Sequence, residues 1–135
     1  MLNYPLVSIV SLLALLLYFV MVARVGRGRS KYGIEAPAVT GHPDFERLVR
    51  VQMNTLEWMP LFLVSLWLFA LSWDADRVAA AIGLVWIVGR ILYLAGYAKA
   101  APSRMLGFFI QGPATMVLLL GALGRTIWIA VKFGV

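Results

Sequence analysis

Polar residues embedded in apolar stretches are the chemically informative part of this sequence. In Arg50-Val51-Gln52-Met53-Asn54-Thr55-Leu56-Glu57, positions 50, 54 and 57 recur at helical spacing and share one face, which Arg47 extends by a turn. Glu57 lies deepest, with an apolar run after it. A carboxylate there costs on the order of 2.5–3.5 kcal/mol in lipid, so it must face protein or water and meet a positive or donor partner. A second stripe follows: Arg90, Tyr93 and Tyr97 stand three and four residues apart, and Arg104 comes shortly after them. Guanidinium groups bind carboxylates bidentately, while Glu57 and the amides can receive an amine. Together the two stripes suit a small zwitterionic or anionic molecule, with apolar helix surface beside it for a lipid-soluble partner. A structural alternative stands next to this: Glu57 pairing with Arg90, and the two tyrosines acting as interfacial anchors.

Other chemistries are restricted. The 135 residues contain no cysteine and one histidine, His42, so thiolate metal sites, a cysteine nucleophile and multi-histidine metal sites drop out, and no metal is expected. His42 reads as a loop residue, and Arg24, Arg27 and Lys31 read as topology signals.

The stripes need elements to carry them. Hydrophobic residues make up 62% of the chain, against about 45–50% in a soluble domain, which points to lipid. Four apolar segments emerge, with helices at about 4–23, 45–73, 78–100 and 105–132, in one domain over residues 1–135. The first is about the 20 residues a bilayer requires. Its basic residues follow it rather than precede it, so it reads as a retained span and not a signal peptide. Asp44 is expected to cap the second helix. Pro60 and Gln111-Gly112-Pro113 mark expected kinks, and Pro102-Ser103 an expected break between the third and fourth helices. Trp67, Trp73, Trp86 and Trp128 read as lipid-facing or interfacial packing. No internal repeat or linker is visible.

A net charge of +6 would suggest nucleic acid in a soluble protein. Here the basic residues cluster beside the spans, so topology explains them and no nucleic-acid partner is expected. Arg24, Arg27, Arg29, Lys31, Arg47, Arg50, Lys99 and Arg104 fall on the side of loops one and three, against mainly Arg77 and Lys132 on the other. The positive-inside rule then puts loops one and three in the cytoplasm and both termini outside. The compact chain reads as bacterial, which would place it in the cytoplasmic membrane.

The segment Phe45-Glu46-Arg47-Leu48-Val49-Arg50-Val51-Gln52-Met53-Asn54-Thr55-Leu56-Glu57-Trp58-Met59-Pro60 resembles a motif of the membrane-associated proteins in eicosanoid and glutathione metabolism. Pro37-Ala38-Val39-Thr40-Gly41 resembles a loop of that family's microsomal glutathione transferases. Arg90-Ile91-Leu92-Tyr93-Leu94-Ala95-Gly96-Tyr97 with Arg104 is similar to its third-helix motif and catalytic arginine. The resemblance implies an all-α membrane protein, a four-helix bundle assembled as a homotrimer, with glutathione as co-substrate between neighbouring subunits. By matching position it implies that Arg50, Asn54, Glu57, Tyr93 and Tyr97 bind glutathione, with Gln52 and the loop arginine Arg29. It also implies that Arg104 activates the thiol. Trp58 departs from the tyrosine of leukotriene synthase-like members, and an indole donates one hydrogen bond and accepts none.

The expected function is therefore a membrane glutathione transferase, with peroxidase activity as a possible extension, acting on hydrophobic electrophiles or lipid substrates and suited to detoxification. A non-catalytic lipid-binding or scaffold role is the main alternative. A transporter, motivated by charges within the spans, is a third; few helices and no inverted repeat count against it.

Overall fold

The computed structural model describes residues 3–99 and 104–134, and the expected break at Pro102-Ser103 lies outside them. Four helices follow in order: α1 (Pro5–Tyr32), α2 (Pro43–Trp73), α3 (Asp76–Lys99) and α4 (Met105–Phe133). All four are long and apolar enough to cross a membrane, and no strand occurs among the described residues. The fold is an all-α four-helix membrane bundle. Helices α2 and α3 pack on each other, while α1 and α4 each pack against both.

Helix α1 runs well beyond the apolar segment, through Arg24, Arg27, Arg29 and Lys31 to Tyr32. Arginine and lysine are strong helix formers, so charge ends a membrane span without ending the helix. Gly33, in the left-handed region at φ 65°, stops it by returning its N–H to the Arg29 carbonyl. The cap of α2 is His42 rather than Asp44: the imidazole accepts from the Asp44 N–H at 3.2 Å. Pro43 occupies the first helical position, where its missing N–H costs nothing, and this moves the cap one residue back from it. The ring of His42 also stacks on Tyr32, centroids 4.1 Å apart, joining the end of α1 to the start of α2. Helix α2 continues through Pro60, and α4 through Pro113.

The surface is what lipid requires: Leu12 is 62% exposed and Val131 79%. The core forms between Val7, Val10 and Ala14 of α1, Met59, Phe62 and Leu66 of α2, Trp86 of α3 and Leu118 of α4. Trp86 departs from the lipid-facing expectation. Fully buried, it stacks on Phe62 with centroids 3.9 Å apart and planes 4° from parallel. Trp73 and Trp128 do lie exposed, near Arg125, whose guanidinium stands 5.0 and 4.4 Å from their ring centroids. Arg125 adds a cation to the end of the bundle that holds Arg77 and Lys132.

Small residues bring α3 and α4 into backbone contact. A Cβ on Gly89 would stand 2.8 Å from the Gln111 nitrogen and 3.0 Å from the Gly107 carbonyl oxygen. A Cβ on Gly107 would overlap the Tyr93 nitrogen and the Gly89 oxygen. Without a hydrophobic drive between helices in lipid, such close approach is the main source of adhesion.

Candidate active site

That contact fixes the third helix's polar face. Tyr93 lies directly over Gly107 and is buried, and Tyr97 sits one turn further on, with ring centroids 5.7 Å apart. Arg104, half-buried at the start of α4, holds its guanidinium carbon 5.3 Å from the Tyr97 ring centroid. The first N–H groups of α4 are unpaired within the helix at this point, so its positive end adds to the arginine's charge.

Helix α2 supplies the opposite wall. Arg50, Asn54 and Glu57 converge with Tyr93, Tyr97 and Arg104 on one cavity of about 220 Å³, completed by Met53 and Phe108. Two stripes that are distant in sequence thus become one polar chamber, with cations near its rim and a carboxylate among amide and phenol groups.

Arg90 takes a different position from the one its stripe suggested. It is fully buried and lines no part of the chamber. Its Nη1 donates to Asn54 Oδ1 at 3.0 Å and its Nη2 donates to Thr55 Oγ1. The Thr55 hydroxyl in turn donates to the Val51 carbonyl at 2.8 Å. The guanidinium carbon lies 4.3 Å from the Tyr93 ring centroid and 5.9 Å from that of Trp86. Arg90 is therefore bonded to Asn54 and Thr55, and the pairing with Glu57 does not form. The reason is angular: Asn54 and Thr55 are on the side of α2 that meets α3, whereas Glu57 is turned toward the opening and is exposed. Arg90 orients Asn54 from behind.

Three expected site residues lie outside the chamber. Arg29 on α1 donates from Nη1 to the Ala38 carbonyl at 2.6 Å and sits 5.2 Å from the Phe45 ring centroid. Gln52 projects from the far side of α2 and donates to the Tyr18 hydroxyl at 2.9 Å. Trp58 packs edge-on against Phe108, centroids 5.9 Å apart, with its indole against the core. Arg47, counted as an extension of the stripe, lines a separate cavity. Among residues that sequence reasoning missed, Met53 and Phe108 are apolar wall and gave no signal in an apolar chain. Thr55 lay inside the recognised motif, but a hydroxyl that bonds its own helix is silent in sequence.

A volume near 220 Å³ is below the roughly 300–1,000 Å³ of ordinary ligand pockets. The chamber can hold carboxylates at Arg50 and Arg104 and an amine at Glu57. A thiol near Arg104 would ionise more readily there.

The MAPEG family model matches residues 7–124. Over 121 residues the chain is 50% identical to an uncharacterised protein of Synechocystis sp., covering 90% of this chain and 88% of that one. It is 42% identical over 124 residues to microsomal glutathione S-transferase 2 of Homo sapiens, covering 90% and 83%. Against leukotriene C4 synthase of Bos taurus the identity is 36% over 120 residues, covering 88% and 79%.

Proposed function

The chain belongs to the MAPEG family, and from that premise we propose that it is a membrane-bound glutathione transferase acting on hydrophobic electrophiles. One observation carries this reading: Arg50, Asn54, Glu57, Tyr93, Tyr97 and Arg104, drawn from separate stretches of the chain, line a single chamber. Relatives named as a glutathione S-transferase and a leukotriene C4 synthase, similar over most of their length, support it.

The roles follow from charge and reach. Arg50 receives a carboxylate of glutathione, Glu57 its ammonium, and Asn54, held by Arg90, a peptide group. Tyr93 and Tyr97 offer phenols to the remaining polar atoms. Arg104 stands beside the thiol. An ordinary thiol with pKa near 8.5 is only about 3% ionised at pH 7. A lowering of about two units needs roughly 2.7 kcal/mol and raises the thiolate to about 75%. A guanidinium and a helix N-terminus in a partly dry chamber supply interactions of that size. The thiolate attacks the electrophilic carbon and forms a carbon–sulfur bond; in a substitution the leaving group departs with its bonding pair, and in an addition the displaced electron pair takes up a proton. With a hydroperoxide in place of the electrophile, two glutathiones give the disulfide, an alcohol and water.

The reading includes a homotrimer. A second chain would enlarge a chamber of only about 220 Å³, and Arg29 and Gln52, both outside the chamber in their own chain, would then reach a neighbour's site. It also treats residues 1–135 as one domain, in a bacterial cytoplasmic membrane with loops one and three inside. The position of Trp58 outside the chamber favours the lipid-binding, non-catalytic alternative to the extent that one hydrogen-bonding position is lost.

Arg104→Ala is the test. At neutral pH conjugation of a model electrophile should fall by up to roughly 25-fold, the ratio of the two thiolate fractions, and recover as pH rises past ~8.5. The ultraviolet thiolate absorbance of bound glutathione should vanish at neutral pH. Unchanged conjugation across that range would remove Arg104 from the chemistry, and no glutathione binding by calorimetry at millimolar concentration would favour the non-catalytic reading.

A further inference from the structure

A second, larger cavity of about 460 Å³ lies at the basic end of the bundle, between α1, α2 and α3. It shares no lining residue with the candidate active site. Arg24, Arg27 and Lys31 enter it from α1 at i, i+3 and i+7, one face of the helix, and Arg47 faces them from α2. The one carboxylate in its wall, Asp44, is paired with Arg47. Four cations less one carboxylate leave three unbalanced positive charges around one hollow. Like charges at helical spacing repel by about 0.2–0.5 kcal/mol per pair, and an anion among them would turn that repulsion into attraction.

Apart from Tyr32 at the end of α1, the rest of the wall is apolar and stands deeper. Leu48 and Val51 lie beyond Arg47 along α2, and Leu94 contributes from α3. Gly28 lets α1 approach closely enough to close the groove, since a Cβ there would stand 2.9 Å from Leu48 Cδ1. Cations at the level where the apolar run of α1 ends, with aliphatic side chains on the membrane side of them, match a molecule with an anionic head and a hydrocarbon body. A free anion would use only the first half of the groove.

We propose that this groove is a binding site for an anionic membrane phospholipid: its phosphate sits among Arg24, Arg27, Lys31 and Arg47, and the start of an acyl chain lies on Leu48, Val51 and Leu94. The chemistry recognised is a phosphate diester with no ammonium of its own to neutralise it, and the aliphatic floor selects a lipid over a soluble phosphate. Each basic residue near such a headgroup contributes roughly a fivefold preference.

The test uses the purified full-length protein in uncharged detergent, with fluorescent phosphatidylglycerol and phosphatidylcholine of identical chains, and inorganic phosphate as competitor. Phosphatidylglycerol should bind about 100-fold more tightly than phosphatidylcholine. In R24Q/R27Q/K31Q its affinity should fall by about 100-fold, to the level of phosphatidylcholine. Raising salt should erode the preference in the unaltered protein, while millimolar inorganic phosphate should displace nothing. Equal binding of the two lipids, or an undiminished preference in the triple variant, would overturn the site. Displacement by inorganic phosphate would overturn its assignment to lipid. If the triple variant does not fold, the unaltered protein decides alone, because a preference that persists in molar salt refutes recognition by these cations.

Discussion

Gly107→Ala perturbs the point where packing and chemistry meet. The added Cβ would overlap the Tyr93 nitrogen and the Gly89 oxygen and stand 2.6 Å from Tyr93 Cα. Ordinary carbon contacts begin near 3.5 Å, so the shortfall is about 1 Å. The obstructing atoms are backbone, and no side-chain rotation relieves them. Helix α4 must move off α3 by that amount. Overpacking of this kind costs about 1–3 kcal/mol, against a gain of up to about 1 kcal/mol for replacing glycine in a helix. A net loss of about 0–2 kcal/mol leaves most of the protein folded. The site suffers more, because Tyr93 is one of the atoms pushed and Arg104 lies three residues before the new methyl. Misplacement by 1 Å costs catalysis about 100-fold. Glutathione conjugation and thermal unfolding, measured on the same preparation, should therefore separate, with activity falling far more than the folded fraction. Gly112→Ala, on the same helix with nothing within 4 Å of its Cβ, is the control and should be neutral or slightly stabilising. If Gly107→Ala retains full activity, or Gly112→Ala is equally damaging, the α3–α4 contact does not set the site.

Other substitutions probe separate parts of the structure. Arg90→Lys keeps the charge but cannot span Asn54 and Thr55 together; it should destabilise by about 1.5–3 kcal/mol, one charged hydrogen bond, and raise the KM for glutathione. An unaltered melting temperature and KM would refute the positioning role. Phe62→Ala removes the partner of the Trp86 stack and should cost about 3–5 kcal/mol, whereas Phe109→Ala, at a position 64% exposed, should stay within ~0.5 kcal/mol in detergent. Equal losses on denaturation would show that Phe62 is not a core residue. Arg29→Ala should weaken glutathione binding measured by calorimetry even though Arg29 lines no part of its own chain's chamber; unchanged affinity would count against a shared site.

The spans and the two polar stripes were legible because lipid penalises polar groups strongly, so their positions carry information. Their meeting in one chamber was legible for Arg50, Asn54, Glu57, Tyr93, Tyr97 and Arg104 because helical periodicity fixes which residues share a face. The rotation of α3 against α2 was not, and it decides that Arg90 reaches Asn54 and Thr55 instead of Glu57. That rotation follows from backbone contact at Gly89 and Gly107, which two glycines in an apolar run do not announce. Trp86 illustrates a further limit. In water an apolar side chain tends to be buried, but in a bilayer both the core and the surroundings are apolar, so hydrophobicity does not separate a stacked core tryptophan from a lipid-facing one. The basic end of α1 was misread in length for a related reason: charge marks where a membrane ends, and the backbone is indifferent to it.

The start of α1 has a consequence for how the chain is made. Tyr4 offers no side-chain cap; instead the Asp76 carboxylate accepts from the N–H groups of Leu6 and Val7 at 3.1 and 2.9 Å, and the Tyr4 hydroxyl donates to Asp74. The residue that finishes the first helix is thus synthesised 70 positions after it. A ribosome-bound chain that has emerged only as far as α2 holds a first span with open backbone donors at its N-terminal end. Arrival of α3 closes them, so the register of the first helix within the bundle is set by the third.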